Sequence, residues 1–402
     1  MAGCWPLWAV YLGVSWTWCI GMFLPALLWR DFGVWSFAVF ALPNVVGAAL
    51  LGLVMRTPEA SRVLLERHRW ACFAFSMVTV AFQTYFAAWV ARVMGGGAWH
   101  AGWVACAVAP MVGGMLSRRA AMTASVAVWV VSLVTIGITV VRVGESGLLP
   151  EIVEWPGARP AHELVPLAMV CVLGFGLCPY LDRTFHRGRI ETGERSVRAF
   201  GLGFGFFFAL MIVGTLLTAP LLVWIVGASG TVGGPPVGRL LIALFAAHTV
   251  PQLVFTCWVH GAEARATGRA VLTGVALAVG AAVVFASGPT LMKSYGWESG
   301  WANPLFGGEV VYRCFMAFYG LVFPAYVAIV AWPVKHGGAE VRRGRLAVFG
   351  VVVLGAAWFY WLGFVERQTW WVALGVGMVV AGKLMSRVFV REPRGDEGLS
   401  NR

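Results

Sequence analysis

The chain has 402 residues, of which 59% are hydrophobic and 12% charged, against about 25% charged in an ordinary soluble domain. Too little polar surface remains to cover a water-facing globule of this size, so a soluble enzyme, a disordered chain and a nucleic-acid-binding protein are excluded. The formal net charge of +12 does not change this, because the basic residues punctuate apolar runs instead of gathering on one domain, as in a polytopic membrane protein.

A bilayer core of roughly 30 Å takes about 20 apolar residues per helix. By that measure the sequence predicts an all-α polytopic membrane protein with twelve spans, at 5–29, 32–55, 71–94, 98–116, 120–142, 165–187, 199–227, 239–262, 270–289, 306–334, 346–365 and 370–388. Only Arg30 and Asp31 separate the first two spans, whereas residues 143–164, 188–198 and 290–305 form the longest links. No basic run precedes the first apolar stretch, so no cleavable leader is expected. The eight cysteines all fall in apolar segments without CxxC spacing and read as small buried hydrophobes.

With the N-terminus in the cytoplasm, most of the 30 basic residues fall on the inner side, and the 143–164 link carries four glutamates against Arg159 alone. Both termini are therefore expected in the cytoplasm of a bacterial inner membrane. Glycine-rich stretches such as Gly201-Leu202-Gly203-Phe204-Gly205 mimic nucleotide loops, but no strand precedes them, and small-residue helix packing accounts for them.

The chain also matches itself. Phe32-Gly33, Phe40-Ala41-Leu42 and Val45 in span 2 recur as Phe200-Gly201, Phe208-Ala209-Leu210 and Val213 in span 7, at an offset of 168. Gln83, Phe86, Trp89 and Val90 in span 3 recur as Gln252, Phe255, Trp258 and Val259 in span 8, at an offset of 169. Gly21 and Pro25 in span 1 have weaker counterparts in Gly176 and Pro179 of span 6. A five-span unit has an odd number of helices, so its second copy is inserted upside down. The expected division is 1–143 for the first five-helix unit, 144–164 for a periplasmic loop, 165–334 for the second unit, and 335–402 for two further spans with a cytoplasmic tail. Glycine and proline predict discontinuous helices in spans 1 and 6, at Gly13, Gly21 and Pro25, and at Gly174, Gly176 and Pro179.

This pattern, with Leu173-Gly174-Phe175-Gly176 at the break in span 6, resembles the amino acid–polyamine–organocation superfamily, the secondary transporters with the LeuT fold. Span 1 lacks the Gly-rich Asn motif of the neurotransmitter:sodium symporters, and sodium:solute symporters share the fold. The resemblance implies a solute site between spans 1, 3, 6 and 8. Here that site would draw on Ser15, Trp16, Thr17 and Gly21, on Gln83 and Tyr85, on Phe175, Gly176 and Tyr180, and on Gln252. It further implies a sodium site of span 1 carbonyls with Thr249 and Thr256 of span 8 and Ser132 or Thr135 of span 5, and an outer gate between Arg30 and Glu309. Glu309 has a nearer alternative partner in Arg313 on its own helix.

Two ionisable groups add candidates for ion coupling. His248 reads as the one deep histidine, four residues before Gln252, and suits a proton-coupled step. Asp182 follows the span 6 break, with His186 or Arg183 as partner. The expected function is secondary transport of a small organic solute by alternating access, driven by Na⁺ or H⁺, with no cofactor beyond a Na⁺ ion, with solute and bilayer as partners, no nucleic acid, and the oligomeric state left open. The sequence leaves two alternatives open: a membrane-embedded enzyme acting on a lipid through His248 or Asp182, and a transporter-like sensor without flux.

Overall fold

The computed structural model describes residues 4–94, 97–112, 117–227, 238–265, 280, 308–332 and 343–388. Among the described residues every regular element is helical. Apolar runs of this length have no other solution in lipid, where each backbone N–H and C=O must pair within its own segment.

Helix α1 (Trp5–Ser15) and helix α2 (Cys19–Phe32) form one apolar span bent by 51°. Helices α3 (Ser36–Val54), α4 (Pro58–Arg67), α5 (Arg69–Met94), α6 (Gly97–Val112), α7 (Arg118–Glu145) and the short α8 (Leu149–Glu154) follow. Helix α9 (Leu164–Leu177) ends in a 3-10 turn, Cys178–Leu181. Helices α10 (Arg183–Thr192), α11 (Ser196–Leu202) and α12 (Ala209–Gly227) run on from one another, the last two joined by a π turn, Gly203–Phe208. The remaining helices are α13 (Arg239–Ala264), α14 (Glu309–Ala331), α15 (Arg343–Val365) and α16 (Trp370–Val388).

Eight of the described helices are long and apolar enough to cross a membrane, or nine with the bent α1–α2 pair taken as one span. Of the twelve expected spans, the fourth is a shorter apolar helix, the last forms over its expected residues but falls outside that set, and 270–289 lies outside the described residues. The expected link at 188–198 is helical instead, turning at Gly193, whose φ of 55° is easy only for glycine.

Side-chain caps set several helix starts. Thr57 Oγ1 accepts from the Ala60 N–H with Pro58 at the first position, and Ser117 Oγ accepts from the Ala120 N–H. Glycines bring the helices close. A Cβ on Gly13 would lie 2.9 Å from the Gly203 carbonyl oxygen, and one on Gly174 would lie 2.7 Å from that of Tyr319. Gly47 meets the Phe175 carbonyl more closely still. Gly174 therefore serves contact between α9 and α14, and it does not unwind its own helix.

Candidate functional site

The first span breaks at Trp16-Thr17-Trp18, and side chains hold the break open. Trp18 Nε1–H donates to the Ser15 carbonyl (2.6 Å), the Thr17 N–H reaches the Val14 carbonyl (3.1 Å), and the Cys19 N–H donates to Gln83 Oε1 (3.1 Å). Backbone groups that a continuous helix would pair internally are thus satisfied from outside it. Pro25 was expected to contribute to the break, but it sits inside an unbroken α2. A proline removes only one donor, and the groups around residues 16–18 are the ones with substitute partners.

The expected sixth span does not break within itself: Ala161–Leu181 is one apolar span and Arg183–Trp224 the next, and the chain turns between them at Cys178–Asp182, beyond the expected glycines and around Pro179. Asp182 caps α10: its Oδ1 accepts from the Thr184 N–H (2.8 Å) and the Thr184 hydroxyl (2.7 Å). The break in the first span and this turn meet. Thr184 Oγ1 lies 3.4 Å from Ser15 Oγ, and the Phe185 ring sits 4.9 Å from that of Trp16.

Beside this junction is a cavity of about 40 Å³, walled by Trp16, Trp18, Gly21, Asn44, Phe175 and Tyr319 among others. That is room for roughly three waters. Trp16 is oriented by Asn44, whose Oδ1 accepts its indole N–H at 2.6 Å. A Cβ on Gly21 would meet nothing within 4 Å. A second cavity of about 60 Å³, lined in part by Asp31, Arg159, Arg313 and Arg367, shares Leu24 and Met316 with the first.

Of the ten expected solute-binding residues, Trp16, Gly21 and Phe175 wall the first cavity and the others do not. Ser15 and Thr17 turn their hydroxyls to their own helix, onto the Leu12 and Gly13 carbonyls. Gln83 is committed to Cys19, and its Nε2 has no hydrogen-bond partner. The Tyr85 hydroxyl donates to the Gly308 carbonyl, Tyr180 packs edge-on against Trp332, and Gly176 faces open space away from the cavity. Gln252 donates through Nε2 to Ser132 Oγ (2.9 Å) and touches Met211 Sδ (3.2 Å), while its Oε1 has no partner.

The expected ion-coupling groups divide in the same way. Thr135 bonds back to the Val131 and Ser132 carbonyls of its own helix, as membrane hydroxyls commonly do. Thr249, Thr256 and His248 are buried on α13 with no hydrogen-bond partner. No group of three or more His, Cys, Asp or Glu that could hold a metal ion is found among the described residues.

His248 is not the one deep histidine: His186 and His260 are wholly buried as well. Nor does His186 pair with Asp182, because its ring contacts the Tyr180 carbonyl and Ser61 Oγ, both at 3.0 Å. Arg183 offers no bond either, its Nε and Nη1 having no partner. The group facing Asp182 Oδ2 is His260 Nε2, at 3.9 Å. His260 contacts Ser76 Oγ through Nδ1 (3.3 Å) and stacks edge-on against Trp18 at 5.4 Å. His260, Asn44 and Tyr319 were missed in the sequence; Asn44 carried the same signal as Gln83, a lone amide in an apolar run.

Arg30 and Asp31 do not form an exposed link. They end α2 as buried members of a charged network. Arg30 donates to both Glu309 oxygens (2.8 and 3.1 Å) and to Asp31 (2.6 Å). Arg313 reaches Glu309 at 2.5 Å and Arg367 reaches Asp31 at 2.8 Å. Glu309 thus takes both expected partners at once. The segment after α8 straps over this end: the Trp155 indole and the Ala158 N–H donate to the Arg30 carbonyl, the Arg159 N–H donates to that of Asp31, and Arg159 Nη2 donates to that of Arg367. Thr369 closes the strap by donating to Glu163 (3.1 Å).

No known protein-family model matches the chain, and no curated protein matches it in sequence.

Proposed function

We propose that the protein is a secondary transporter of the LeuT type, which moves a small organic solute across a bacterial inner membrane by alternating access and is coupled to Na⁺ or H⁺. On this reading the two five-helix units are inverted copies, both termini are cytoplasmic, and the network at the end of α2 closes the outer face. The observation that carries it is the meeting of the bent first span, broken at 16–18, with the turn at 178–182 that ends α9, beside a cavity walled by Trp16, Trp18, Gly21, Phe175 and Tyr319. Interrupted helices deep in a bundle recur where carriers bind their cargo. The cavity's small volume fits a closed intermediate, with the 60 Å³ space beyond Leu24 and Met316 lying on the outer route.

Gly21 provides the test, because a Cβ there meets no protein atom within 4 Å and the residue lines the cavity. A thermal-shift screen of solutes, with and without Na⁺ at two pH values, identifies the ligand by the stabilisation it confers. Gly21→Leu is expected to keep the melting temperature of the ligand-free protein and to lose both the ligand shift and uptake into proteoliposomes. Undiminished uptake by Gly21→Leu overturns the cavity as the solute path.

A further inference from the structure

Helix α13 carries polar groups at every fourth residue: His248, Gln252, Thr256 and His260. All four are buried. A row spaced by four winds slowly round a helix, and these four positions span roughly 18 Å of its length. The row passes Ser132 of α7 at Gln252 and Ser76 of α5 at His260. Its free atoms include both nitrogens of His248, Gln252 Oε1, Thr256 Oγ1 and His260 Nε2, none with a hydrogen-bond partner. The row ends at Asp182, whose Oδ2 is also without one. A buried polar atom left unpaired costs about 1–3 kcal/mol, so a helix holding several in line is built to meet something other than the resting protein.

We propose that Asp182 Oδ2 and His260 Nε2 share one proton, which reaches them along the polar row of α13. The two atoms stand 3.9 Å apart, and a single proton with an approach of about 1 Å makes a hydrogen bond between them. The proton adds to a lone pair of the carboxylate oxygen, forming O–H. It then moves to Nε2, leaving carboxylate and imidazolium; no other reactant is consumed.

The surrounding charges permit this. Glu263 of α13 is already engaged by Arg187 of α10 at 3.0 Å. Tyr11 of α1, Cys72 of α5, Cys178 and Tyr319 are the other ionisable side chains within electrostatic reach of the carboxyl. Arg183 and Asp182 are adjacent buried charges of opposite sign, so one added proton gives the site a net positive charge without leaving any carboxylate unmatched.

The same two residues connect the proton to the cavity. Asp182 caps α10 through Thr184, and a neutral carboxyl is a weaker acceptor at a helix N-terminus than a carboxylate. Loosening that cap loosens Thr184 against Ser15 and Phe185 against Trp16, while His260 bears directly on Trp18. Trp16 and Trp18 are cavity walls. Protonation is therefore positioned to change the helix break that shapes the solute site.

The proposal deepens the carrier reading, but its first test needs no solute. The full-length protein in nanodiscs is titrated with acid while the infrared C=O stretch of protonated carboxyl groups is followed. A band that appears with a midpoint between about pH 5 and 8, disappears in Asp182→Asn, returns in Asp182→Glu and shifts its midpoint in His260→Gln supports the shared proton. A titration in that range unaltered by Asp182→Asn overturns it, as does the absence of any such band in the unmodified protein. Gel filtration shows that the variants remain folded. Proteoliposome uptake then separates the two readings. Uptake that needs Na⁺, ignores a pH gradient and survives Asp182→Asn overturns the proton site and leaves the carrier standing. The infrared result without uptake of any screened solute supports the proton site and removes the carrier.

Discussion

The charged network at the end of α2 and the polar row of α13 are both buried, and they are built in opposite ways. In the network Arg30, Asp31, Glu309, Arg313 and Arg367 bond to one another, and Glu309 and Asp31 each receive two guanidinium groups. In the row, the His248 nitrogens, Thr256 Oγ1 and His260 Nε2 have no hydrogen-bond partner, and His260 Nε2 only faces Asp182 Oδ2 at 3.9 Å. Burial of a charge is tolerated when its partners are fixed, and the network meets that condition. The row is buried without receiving such bonds, and each unpaired atom costs stability.

Removing a partner from the network should produce the largest effect. Glu309→Ala leaves Arg30 and Arg313 facing each other with Asp31 as their remaining acid, and the cost is about 3–5 kcal/mol, read as a fall in thermal denaturation midpoint in detergent. A loss below about 1 kcal/mol would mean that the network is solvated and the contrast false. Gln83 stands between the two extremes, one end bonded to Cys19 and the other unbonded. Gln83→Leu should cost about 1–2 kcal/mol by orphaning the Cys19 N–H, and a larger loss would move Gln83 into the class of the network.

On the row the sign should reverse. Thr256→Val removes a hydroxyl without a partner at nearly constant volume, and stability is expected unchanged or raised by up to about 1 kcal/mol. Clear destabilisation would show that the row is structurally bonded after all. The smallest effect serves as a control on acid titrations. Burial holds His68, which lies outside the spans and contacts the Tyr326 hydroxyl, down to about 4, with Arg67 adding to the shift. The unfolded chain takes up that proton near 6.5, so stability is complete above about pH 6.5 and declines as the pH falls towards 4. His68→Gln should flatten this slope by up to one proton, measured as the pH dependence of the denaturation midpoint.

Most of the spans were legible because hydropathy is a local property, and so was the presence of a break in the first. Its exact place was not. Pro25 marks a weak point that α2 absorbs, whereas the real break depends on Gln83, 64 residues away in sequence. His260 looked peripheral because it comes near the end of its span; packing by α5 buries it at Ser76 and Phe75. Arg30 and Asp31 read as the boundary between two spans because nothing local reveals that residues 155–159 fold back over them. The Arg30–Glu309 contact, implied by resemblance alone, is present, but Arg313 and Arg367 make it part of something larger.

The strap carries one more consequence. It leaves α8, lies over the last turn of α2 and fastens on its far side to Arg367 and Thr369, between α15 and α16. The final two helices are thus an anchor for the opening of the chain, although they stand outside the two proposed five-helix units. A protein truncated after α14 would lose the clasp along with Arg367's grip on Asp31, and the front of the first bent span would be unbuckled from the rest.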